Sequence, residues 1–235
     1  MLDAVRDLLL GTHCLGCGRP GRLVCEPCLV LLDVAPSVCW PSPTPPGLVA
    51  PWAAAPYDGL ARDLVLGLKE RGLLPLTGLV AGLLAGSVAG ALGPVDDTPW
   101  VLVPVPSRRT TVRARGHDAT RVVTEAAADL LRRRGYAVTA ASILALRPGV
   151  VDQSGLDALG RRRNLDGSMT CPSAGLRRLA RRRARARVVI CDDVVTTGST
   201  LREAQRALQA VGLVVHAGAA VAATARRHPP QRNLG

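Results

Sequence analysis

The stretch Val188-Val-Ile-Cys-Asp-Asp-Val-Val-Thr-Thr-Gly-Ser-Thr-Leu201 decides the fold. Its apolar first half predicts a buried strand, its end predicts the start of a helix, and Gly198 allows the backbone to turn closely between them. Amides at a helix N-terminus bind phosphate, and the carboxylates of Asp192 and Asp193 can accept from sugar hydroxyls or help to hold a divalent cation. The phosphate-binding candidates are Thr196, Thr197, Gly198, Ser199 and Thr200. Capping a helix needs only one such residue, so we interpret the stretch as a sugar-phosphate loop.

The order strand, loop, helix recurs upstream of this loop. Strands are predicted over Trp100–Pro106, within Tyr136–Leu146, over Arg187–Cys191 and within Leu213–Ala223. Helices are predicted from the Leu60 region to Gly72, between Leu73 and Pro94, from the Gly116 region to Arg134, and from about Ser199 to Val211, with a polar loop over 147–175. This alternation predicts an α/β fold with a mostly parallel, twisted sheet flanked by helices, and a ligand crevice at the carboxyl ends of the strands.

The composition indicates a globular protein with polyanionic partners. Of the 235 residues, 48% are apolar and none is Phe, so the core is expected to consist of Leu, Val and Ala. The net charge of +12 favours either nucleic acid or a pyrophosphorylated substrate. A basic run precedes the third strand, and we favour a solvated face over a nucleic-acid patch for it. It comprises Arg177, Arg178, Arg181, Arg182, Arg183, Arg185 and Arg187.

One uncharged segment raises the question of a membrane helix. Between Leu73 and Pro94, four glycines recur at four-residue intervals, which suits close helix packing in a membrane or in a core. The segment lacks bulky apolar content and aromatic belts, so we expect a buried helix whose glycine stripe packs against a sheet. The apolar run after Met1 is too short for a signal-peptide core, and we therefore expect a cytoplasmic protein with no membrane span.

Four cysteines near the N-terminus form two Cys-x2-Cys pairs, namely Cys14, Cys17, Cys25 and Cys28. Four thiolates suit a tetrahedral structural zinc ion, whereas disulfides are disfavoured in a cytoplasmic chain and an iron-sulfur cluster is the weaker alternative. We therefore predict a zinc-ribbon-like module over 1–35. Residues 36–56 are rich in proline and are predicted to be a connector without a central strand or regular helix, and 57–235 form the main domain.

Several motifs resemble those of one superfamily. The stretch Cys191–Thr200 closely resembles the ribose-phosphate loop of type I phosphoribosyltransferases, and Val103-Pro-Val-Pro-Ser107 with Arg108 and Arg109 resembles their pyrophosphate loop. Val105-Pro106 could adopt a cis bond more easily than a pair without proline. Arg115-Gly-His-Asp-Ala119, Gln153 with Arg161 to Leu165, and Leu68-Lys69 resemble segments of the ComF family, which also carries an N-terminal zinc finger. Two departures from that pattern are Glu70 in place of Phe and Ala119-Thr120 in place of Gln-Ala.

The resemblance implies phosphoribosyl pyrophosphate with Mg²⁺ as ligand, helices of a hood over 57–96, and Asp192 and Asp193 as the catalytic pair. The substrate-binding residues that it implies are Lys69, Val105, Pro106, Ser107, Arg108, Arg115, Gln153, Arg161, Asn164, Thr196, Thr197, Gly198, Ser199 and Thr200. Thr196 stands where many purine-salvage members have an acidic residue, so purine salvage is disfavoured. We favour a pentosyl transferase with an unidentified acceptor. The alternatives are a competence protein that binds single-stranded DNA and a non-catalytic sensor of phosphoribosyl pyrophosphate.

Overall fold

A computed structural model describes residues 12–147, 167–183 and 186–224. The strands are β1 Ser37–Val38, β2 Pro51–Pro56, β3 Trp100–Pro104, β4 Val138–Ala140, β5 Ala145–Leu146, β6 Met169–Thr170, β7 Arg187–Val195 and β8 Val215–Ala223. The helices are α1 Glu26–Val30, α2 Gly59–Lys69, α3 Thr77–Leu92, α4 Arg109–Arg115, α5 Ala119–Arg133, α6 Ser173–Arg183 and α7 Ser199–Gln209, with a short 3-10 turn at Leu74–Leu76.

Six of these strands form one sheet in the order β1-β2-β8-β7-β3-β4. All neighbours are parallel except β1, which runs antiparallel to β2 at one edge, and β5 and β6 form a separate antiparallel pair. Because the five parallel strands point the same way, their carboxyl ends meet at one edge of the sheet. The α/β prediction with a mostly parallel sheet is confirmed.

Both faces of the sheet are covered, as predicted. Leu64, Leu84 and Leu131 of α2, α3 and α5 belong to the core cluster on one face. On the other face, Leu201 and Leu208 of α7 pack with Ile143 and Met169 near the β5–β6 pair. Burying apolar side chains on both faces is what a parallel sheet requires, and it explains the unbroken apolar runs in β3, β7 and β8.

The prediction that residues 36–56 contain no strand is wrong at their C-terminal end. Pro51–Pro56 forms β2, which lies between β1 and β8 and pairs with β8 through Trp52↔Ala219 and Ala55↔Ala222. The two prolines occupy the first and last positions of the strand, where a missing N–H interrupts the ladder least. The alanines between them are buried, which is the signature of a central strand.

The apolar segment after Leu73 forms α3, and its packing differs from the predicted glycine stripe. By length and composition Leu74–Leu92 could cross a membrane, but α3 lies in the core and its Ser87 Oγ donates to Ala220 O of β8 at 2.6 Å. A Cβ placed on Gly78 or Gly82 would meet no atom within 4 Å, whereas one on Gly90 would lie 2.9 Å from the Trp52 ring. A Cβ on Gly86 would lie 3.3 Å from Pro36 Cγ, so two of the four glycines have close neighbours and two have none. The buried residues of α3 are mainly leucine, valine and alanine.

Three smaller differences concern the ends of predicted elements. The strand predicted to end at Cys191 continues to Val195, so the two aspartates belong to β7 rather than to the loop after it. The strand predicted within Leu213–Ala223 is β8, which begins at Val215. Residues 109–115, which lie between the strand predicted to end at Pro106 and the helix predicted from the Gly116 region, form the short helix α4.

Candidate active site

The ends of β3 and β7 place two loops side by side at the carboxyl edge of the sheet. Pro104 pairs with Cys191, and the next residue, Val105, donates its N–H to Cys191 O at 2.8 Å. The loop after β3 therefore starts beside Asp192. The loop after β7 then turns at Gly198 into α7, so both predicted ligand loops border the same space.

An open cleft of about 410 Å³ occupies this space. Eight of the residues predicted as site residues line it, namely Lys69, Val105, Pro106, Ser107, Asp192, Asp193, Thr196 and Thr200. The wall also includes Tyr57, Val65, Leu66, Glu70, Thr120 and Val194. The cleft is therefore formed jointly by the hood helix α2, the loop after β3 and the loop after β7.

The floor of the cleft carries two adjacent carboxylates and one ammonium group. Asp192 is 8% exposed and accepts a hydrogen bond from the amide of Asp193 on Oδ1 at 2.8 Å. Asp193 forms an ion pair with Lys69, which α2 brings in from its C-terminal end. Apolar side chains that include Leu68, Val123 and Val221 lie behind these charges.

Burial and charge act differently on the three groups. Burial, reinforced by the neighbouring carboxylate, raises the pKa of Asp192 well above its usual 3.8. Burial also acts to raise the pKa of Asp193, but the Lys69 ammonium outweighs it and the pKa of Asp193 is lowered. Burial alone would lower the pKa of Lys69, yet Asp193 and Asp192 together raise it. The ion pair therefore stays charged, and Asp192 is the group that most needs a further cation or a proton.

The residue after Lys69 reaches across to the other side of the cleft. Glu70 accepts from Arg115 Nη2 at 2.6 Å through Oε1, so the end of α2 contacts both β7 and the end of α4. Glu70 stands where the ComF resemblance predicts Phe. An ion pair at this position gives Arg115 a protein partner in the ligand-free structure.

The phosphate loop has the geometry of a helix N-terminus that follows a tight turn. Gly198 has φ of 70°, a left-handed conformation that favours glycine, and its carbonyl accepts from Arg202 N at 2.9 Å. Thr197 and Ser199 share a hydrogen bond of 3.0 Å between their hydroxyls, while Thr196 and Thr200 face the cleft. The first amides of α7 have no partner within the helix: that of Ser199 donates to Thr197 Oγ1 at 3.4 Å, and those of Thr200 and Leu201 can serve an anion.

The loop after β3 is held from its far side. Ser107 Oγ donates to Asp118 Oδ1 at 2.9 Å, and the same carboxylate caps α5 by accepting from Arg121 N at 3.3 Å. Arg108 is the N-cap residue of α4. Within the described residues the cis peptide bond is at Ser42-Pro43, so Val105-Pro106 is trans.

Some of the predicted site residues are not brought to the cleft wall. Ser199 and Gly198 are buried in the phosphate loop, and Thr197 points to Ser199. Arg115 lies at the rim, paired with Glu70. Gln153, Arg161 and Asn164 fall outside the described residues, so the predicted mobile-loop contacts remain predictions.

Sequence reasoning missed Tyr57 and gave no role to Thr120. Tyr57 follows β2 directly, and its N–H donates to Ala223 O at 2.8 Å at the same edge of the sheet. The signal was lost because Pro51–Pro56 was not predicted as a strand, so nothing placed the residue after it at the ligand edge. Thr120 had appeared only as a departure from the ComF pattern, yet it lies beside Asp192 in the wall.

The four N-terminal cysteines converge on one point, with their sulfur atoms all within 4.8 Å of one another. Cys25 Sγ lies 3.6 Å from both Cys14 Sγ and Cys17 Sγ. Thiolates at about 2.3 Å from a tetrahedral zinc ion are separated by about 3.8 Å, so the cluster fits zinc. A Cβ on Gly16 would lie 2.9 Å from Cys28 Sγ, which explains why glycine precedes Cys17.

The thiols of this cluster lie close enough to shift one another's pKa. Burial acts to raise the pKa of Cys14, but the amides of Cys25, Cys17 and Gly16 lower it to about 6. Hydrogen bonding to Cys25, together with burial, raises the pKa of Cys28 to about 12. Four thiolates can coexist only around a cation, and a small metal module over the N-terminal cysteines therefore fits the geometry.

Comparison with known families gives one match. A family model described as Phosphoribosyl transferase domain matches residues 53–233, from within β2 past the end of β8. The match spans well over half of the chain and includes every element that borders the cleft. No curated protein matches the chain. The comparisons do not support a single-stranded DNA partner.

Proposed function

Because the chain belongs to the family of phosphoribosyl transferase domains, we propose that its cleft binds phosphoribosyl pyrophosphate together with Mg²⁺. The observation that carries the proposal is the meeting of two loops in one cleft. The loop after β3 and the loop after β7 both line it, together with the buried carboxylate of Asp192 and the half-buried carboxylate of Asp193. A sugar that bears phosphate at one end and pyrophosphate at the other needs this arrangement.

The two ends of the ligand are assigned from the donors that each loop offers. The amides and hydroxyls at the start of α7, with Thr196 and Thr200, would hold the 5-phosphate. Asp192 and Asp193 would accept hydrogen bonds from the ribose hydroxyls between the two loops. Val105 to Ser107 would face the pyrophosphate, because their loop starts beside Asp192 and lines the same cleft.

The donor set at the floor also suits the metal. Mg²⁺ prefers carboxylate oxygens and substrate phosphates, and Asp192 and Asp193 are the carboxylates at this point of the cleft. When bound, Mg²⁺ would neutralise charge on the pyrophosphate. Lys69 remains within reach of the same carboxylates and keeps one negative charge balanced before the ligand arrives.

We further propose that the bound ligand reacts by displacement at its anomeric carbon. The bond from that carbon to the pyrophosphate oxygen breaks, the electron pair leaves with pyrophosphate, and a nucleophilic acceptor forms the new bond and loses its proton. Positive charge on the ribose in the transition state is stabilised by the neighbouring carboxylates of Asp192 and Asp193. Thr196 is uncharged at the position where a base toward a purine would stand, so the acceptor class is proposed to differ from purines.

Two features of the proposal lie outside the cleft. We propose that Zn²⁺ is the metal held by Cys14, Cys17, Cys25 and Cys28, in a structural role, because all four positions are thiolates. We also propose a cytoplasmic location, since a reducing compartment keeps such thiols available to metal.

Binding is tested by isothermal titration with phosphoribosyl pyrophosphate and Mg²⁺. Replacing one carboxylate in Asp192→Asn or Asp193→Asn removes a charge-assisted hydrogen bond, and the affinity is expected to fall about 10- to 100-fold. Asp129→Asn is the matched control, because Asp129 is exposed on α5 and pairs only with Arg132 among the described residues. Absence of binding by the wild-type protein would refute the proposal.

Transfer is tested separately from binding. Pyrophosphate release is measured with a panel of amines and nucleobases, and at least one acceptor is expected to accelerate release over the rate with water. If the protein binds the ligand and no acceptor accelerates release, the chain is a sensor of phosphoribosyl pyrophosphate rather than a transferase. The Asp193→Asn variant then serves as the inactive reference for any acceptor that succeeds.

A further inference from the structure

Residues 39–50, which we name the proline loop, join β1 to β2 and are packed rather than extended into solvent. The base of the loop is closed by Cys39 N–H, which donates to Pro51 O at 2.8 Å, and by the antiparallel pairing of the two strands. Pro41, Pro45 and Leu48 within the loop are buried. The segment that was predicted to be a connector therefore has a packing partner, and that partner is the phosphate loop.

Three apolar side chains of the proline loop lie directly against Gly198. A Cβ on Gly198 would be 2.9 Å from Pro41 Cγ, 3.0 Å from Leu48 Cδ2 and 3.5 Å from Pro45 Cδ. The turn that leads into α7 is thus backed by a wall on the side away from the cleft. No residue with a side chain could replace this glycine without moving the wall or the turn.

Side chains of helix α7 form hydrogen bonds with the backbone of the same loop. Gln205 Nε2 donates to Gly47 O at 2.9 Å, while Gln205 Oε1 accepts from Val49 N at 3.0 Å. Arg202 Nε donates to Pro46 O at 2.9 Å. Gln205 is 3% exposed, and both ends of its amide are used, so it fixes the helix relative to the proline loop.

These contacts affect the phosphate site because they hold the turn and the helix that carry its hydrogen-bond donors. A phosphate is held by amides of the first turn of α7, and their directions are set by the Gly198 turn and by the helix axis. Precise recognition requires that such donors be held before the ligand arrives. The Gly198 turn packs against the proline loop, and α7 is hydrogen-bonded to it.

We propose that the proline loop holds the phosphate loop in its binding conformation, with Gln205 as a positioning residue for the sugar phosphate. The inference rests on the proposed function of the cleft. It adds a part of the chain that precedes the matched residues 53–233 and, in the part of the chain that the structure describes, reaches the site through Gly198 and α7. We expect binding of the phosphate end of the ligand to depend on Gln205, and binding of the pyrophosphate end to be independent of it.

The test compares Gln205→Leu with Gln209→Leu. The first substitution removes both hydrogen bonds at similar volume, and the second changes an exposed glutamine at the end of the same helix. Ribose 5-phosphate probes the phosphate loop, and pyrophosphate with Mg²⁺ probes the loop after β3. In Gln205→Leu the affinity for ribose 5-phosphate is expected to fall about tenfold, with the affinity for pyrophosphate within about twofold of wild type.

Equal weakening of both probes would overturn the proposal, because it would indicate a general loss of structure. Unchanged affinity for ribose 5-phosphate would overturn it as well. If Gln205→Leu does not fold, Leu48→Ala relaxes the contact with Gly198 without changing any hydrogen bond or charge of α7 and is subject to the same criteria.

A measurement without ligand separates this inference from the proposed function. The amide of Arg202 donates to Gly198 O, so its hydrogen exchange reports on the integrity of the turn. We expect faster exchange at this amide in Gln205→Leu than in Gln209→Leu, with the residues 105–108 unchanged. If wild-type protein binds neither probe, the proposed function fails and the exchange result alone decides whether the proline loop holds the turn; unchanged exchange overturns the inference in either case.

Discussion

Asp192 combines deep burial with a neighbouring carboxylate, and this combination disfavours its charged form. The side chain is 8% exposed, and the single ammonium in reach is paired with Asp193. A group placed in this way stabilises a ligand at the expense of the free protein, which is a common property of binding sites. The unfavourable free energy of the buried Asp192 carboxylate can therefore be measured as a loss of stability in the free protein.

We predict that Asp192→Asn makes the ligand-free protein more stable at neutral pH. The folded-state pKa of Asp192 is raised above 3.8, so the folded wild-type protein loses stability as pH rises from about 4 to that raised pKa, and then no further. The variant has no such loss, while Asn can still accept from the Asp193 amide. Its melting temperature should exceed that of wild type by a few degrees at pH 7, with the gap closing towards pH 4.

Thermal melts from pH 4 to pH 8 check this prediction, with Asp129→Asn on the surface of α5 as the control. The control should change by less than about 0.5 kcal/mol and show no comparable trend with pH. If Asp192→Asn is less stable than wild type at pH 7 and equally stable at pH 4, burial does not disfavour the charged form of Asp192 and the prediction is wrong.

At the scale of elements, Glu203 connects α7 to the β5–β6 pair. Its buried carboxylate accepts from Met169 N at 2.8 Å and from Arg206 Nε at 2.7 Å. Burial acts to raise the pKa of Glu203, but the hydrogen bonds from Arg206 and Met169 lower it.

We predict that Glu203→Gln lowers the free energy of unfolding by about 1–3 kcal/mol at pH 7. Glu203 accepts from Met169 N and from both Nε and Nη2 of Arg206 on its two oxygens, whereas Gln has one acceptor oxygen and its amide nitrogen only donates. The folded-state pKa lies below the usual 4.5, so the wild-type advantage is present above about pH 4.5 and is lost as pH falls through the lowered pKa. Urea unfolding at pH 7 and at pH 3.5 measures the difference. Glu125→Gln, an exposed partner of Arg121, should change stability by less than about 0.5 kcal/mol; equal effects of the two variants would contradict the prediction.

Helix α3 offers a second test, because its glycines are not equivalent. Gly82 has no atom within 4 Å of an added Cβ, so Gly82→Ala should stabilise the protein by about 0.5–1 kcal/mol through helix propensity. At Gly90 an added Cβ would lie 2.9 Å from the Trp52 ring of β2, and Gly90→Ala should destabilise by about 1–3 kcal/mol. Chemical denaturation of both variants decides between this packing and a stripe in which all glycines contact the sheet, for which both changes would destabilise.

The same elements explain which parts of the fold could be predicted from sequence. β7 and the start of α7 were predictable because the apolar run, the glycine and the capping hydroxyls are consecutive in the chain. β2 could not be predicted, because Pro51 and Pro56 argue against a strand in the sequence. Its central alanines form one only through pairing with β8, which is distant in the sequence. The packing of Pro41 and Leu48 on Gly198 joins segments about 150 residues apart in sequence, and no local pattern encodes it. Lys69 was assigned through a resemblance, and its pairing with Asp193 depends on where the tertiary fold ends α2.

At the scale of the whole molecule, α2 links the cysteine module to the cleft. The module packs on one side of the helix, where a Cβ on Gly67 would lie 3.3 Å from Leu15 Cδ1 and one on Gly16 would lie 3.6 Å from Leu60 Cδ1. The C-terminal end of the same helix carries Lys69 to Asp193. The position of the ammonium in the cleft is therefore tied to the order of the module.

We predict that metal removal affects both the module and the cleft. Among residues 12–35, the described part of the module, Cys14 is the buried residue, so we expect the structure of the module to depend on the thiolate cluster. Metal binding is a large part of the folding free energy of such units. Chelation should lower the melting temperature by about 5 °C or more, release about one zinc ion per chain, and weaken the binding of phosphoribosyl pyrophosphate, because α2 then loses its support and Lys69 its fixed position. Cys17→Ser should reproduce these effects, whereas Cys39→Ser, outside the cluster and able to keep its hydrogen bond to Pro51 O, should not. If the protein loses its metal and its melting temperature does not change, the module and α2 are independent. If the zinc-free protein binds the ligand with wild-type affinity, Lys69 is positioned by the main domain alone.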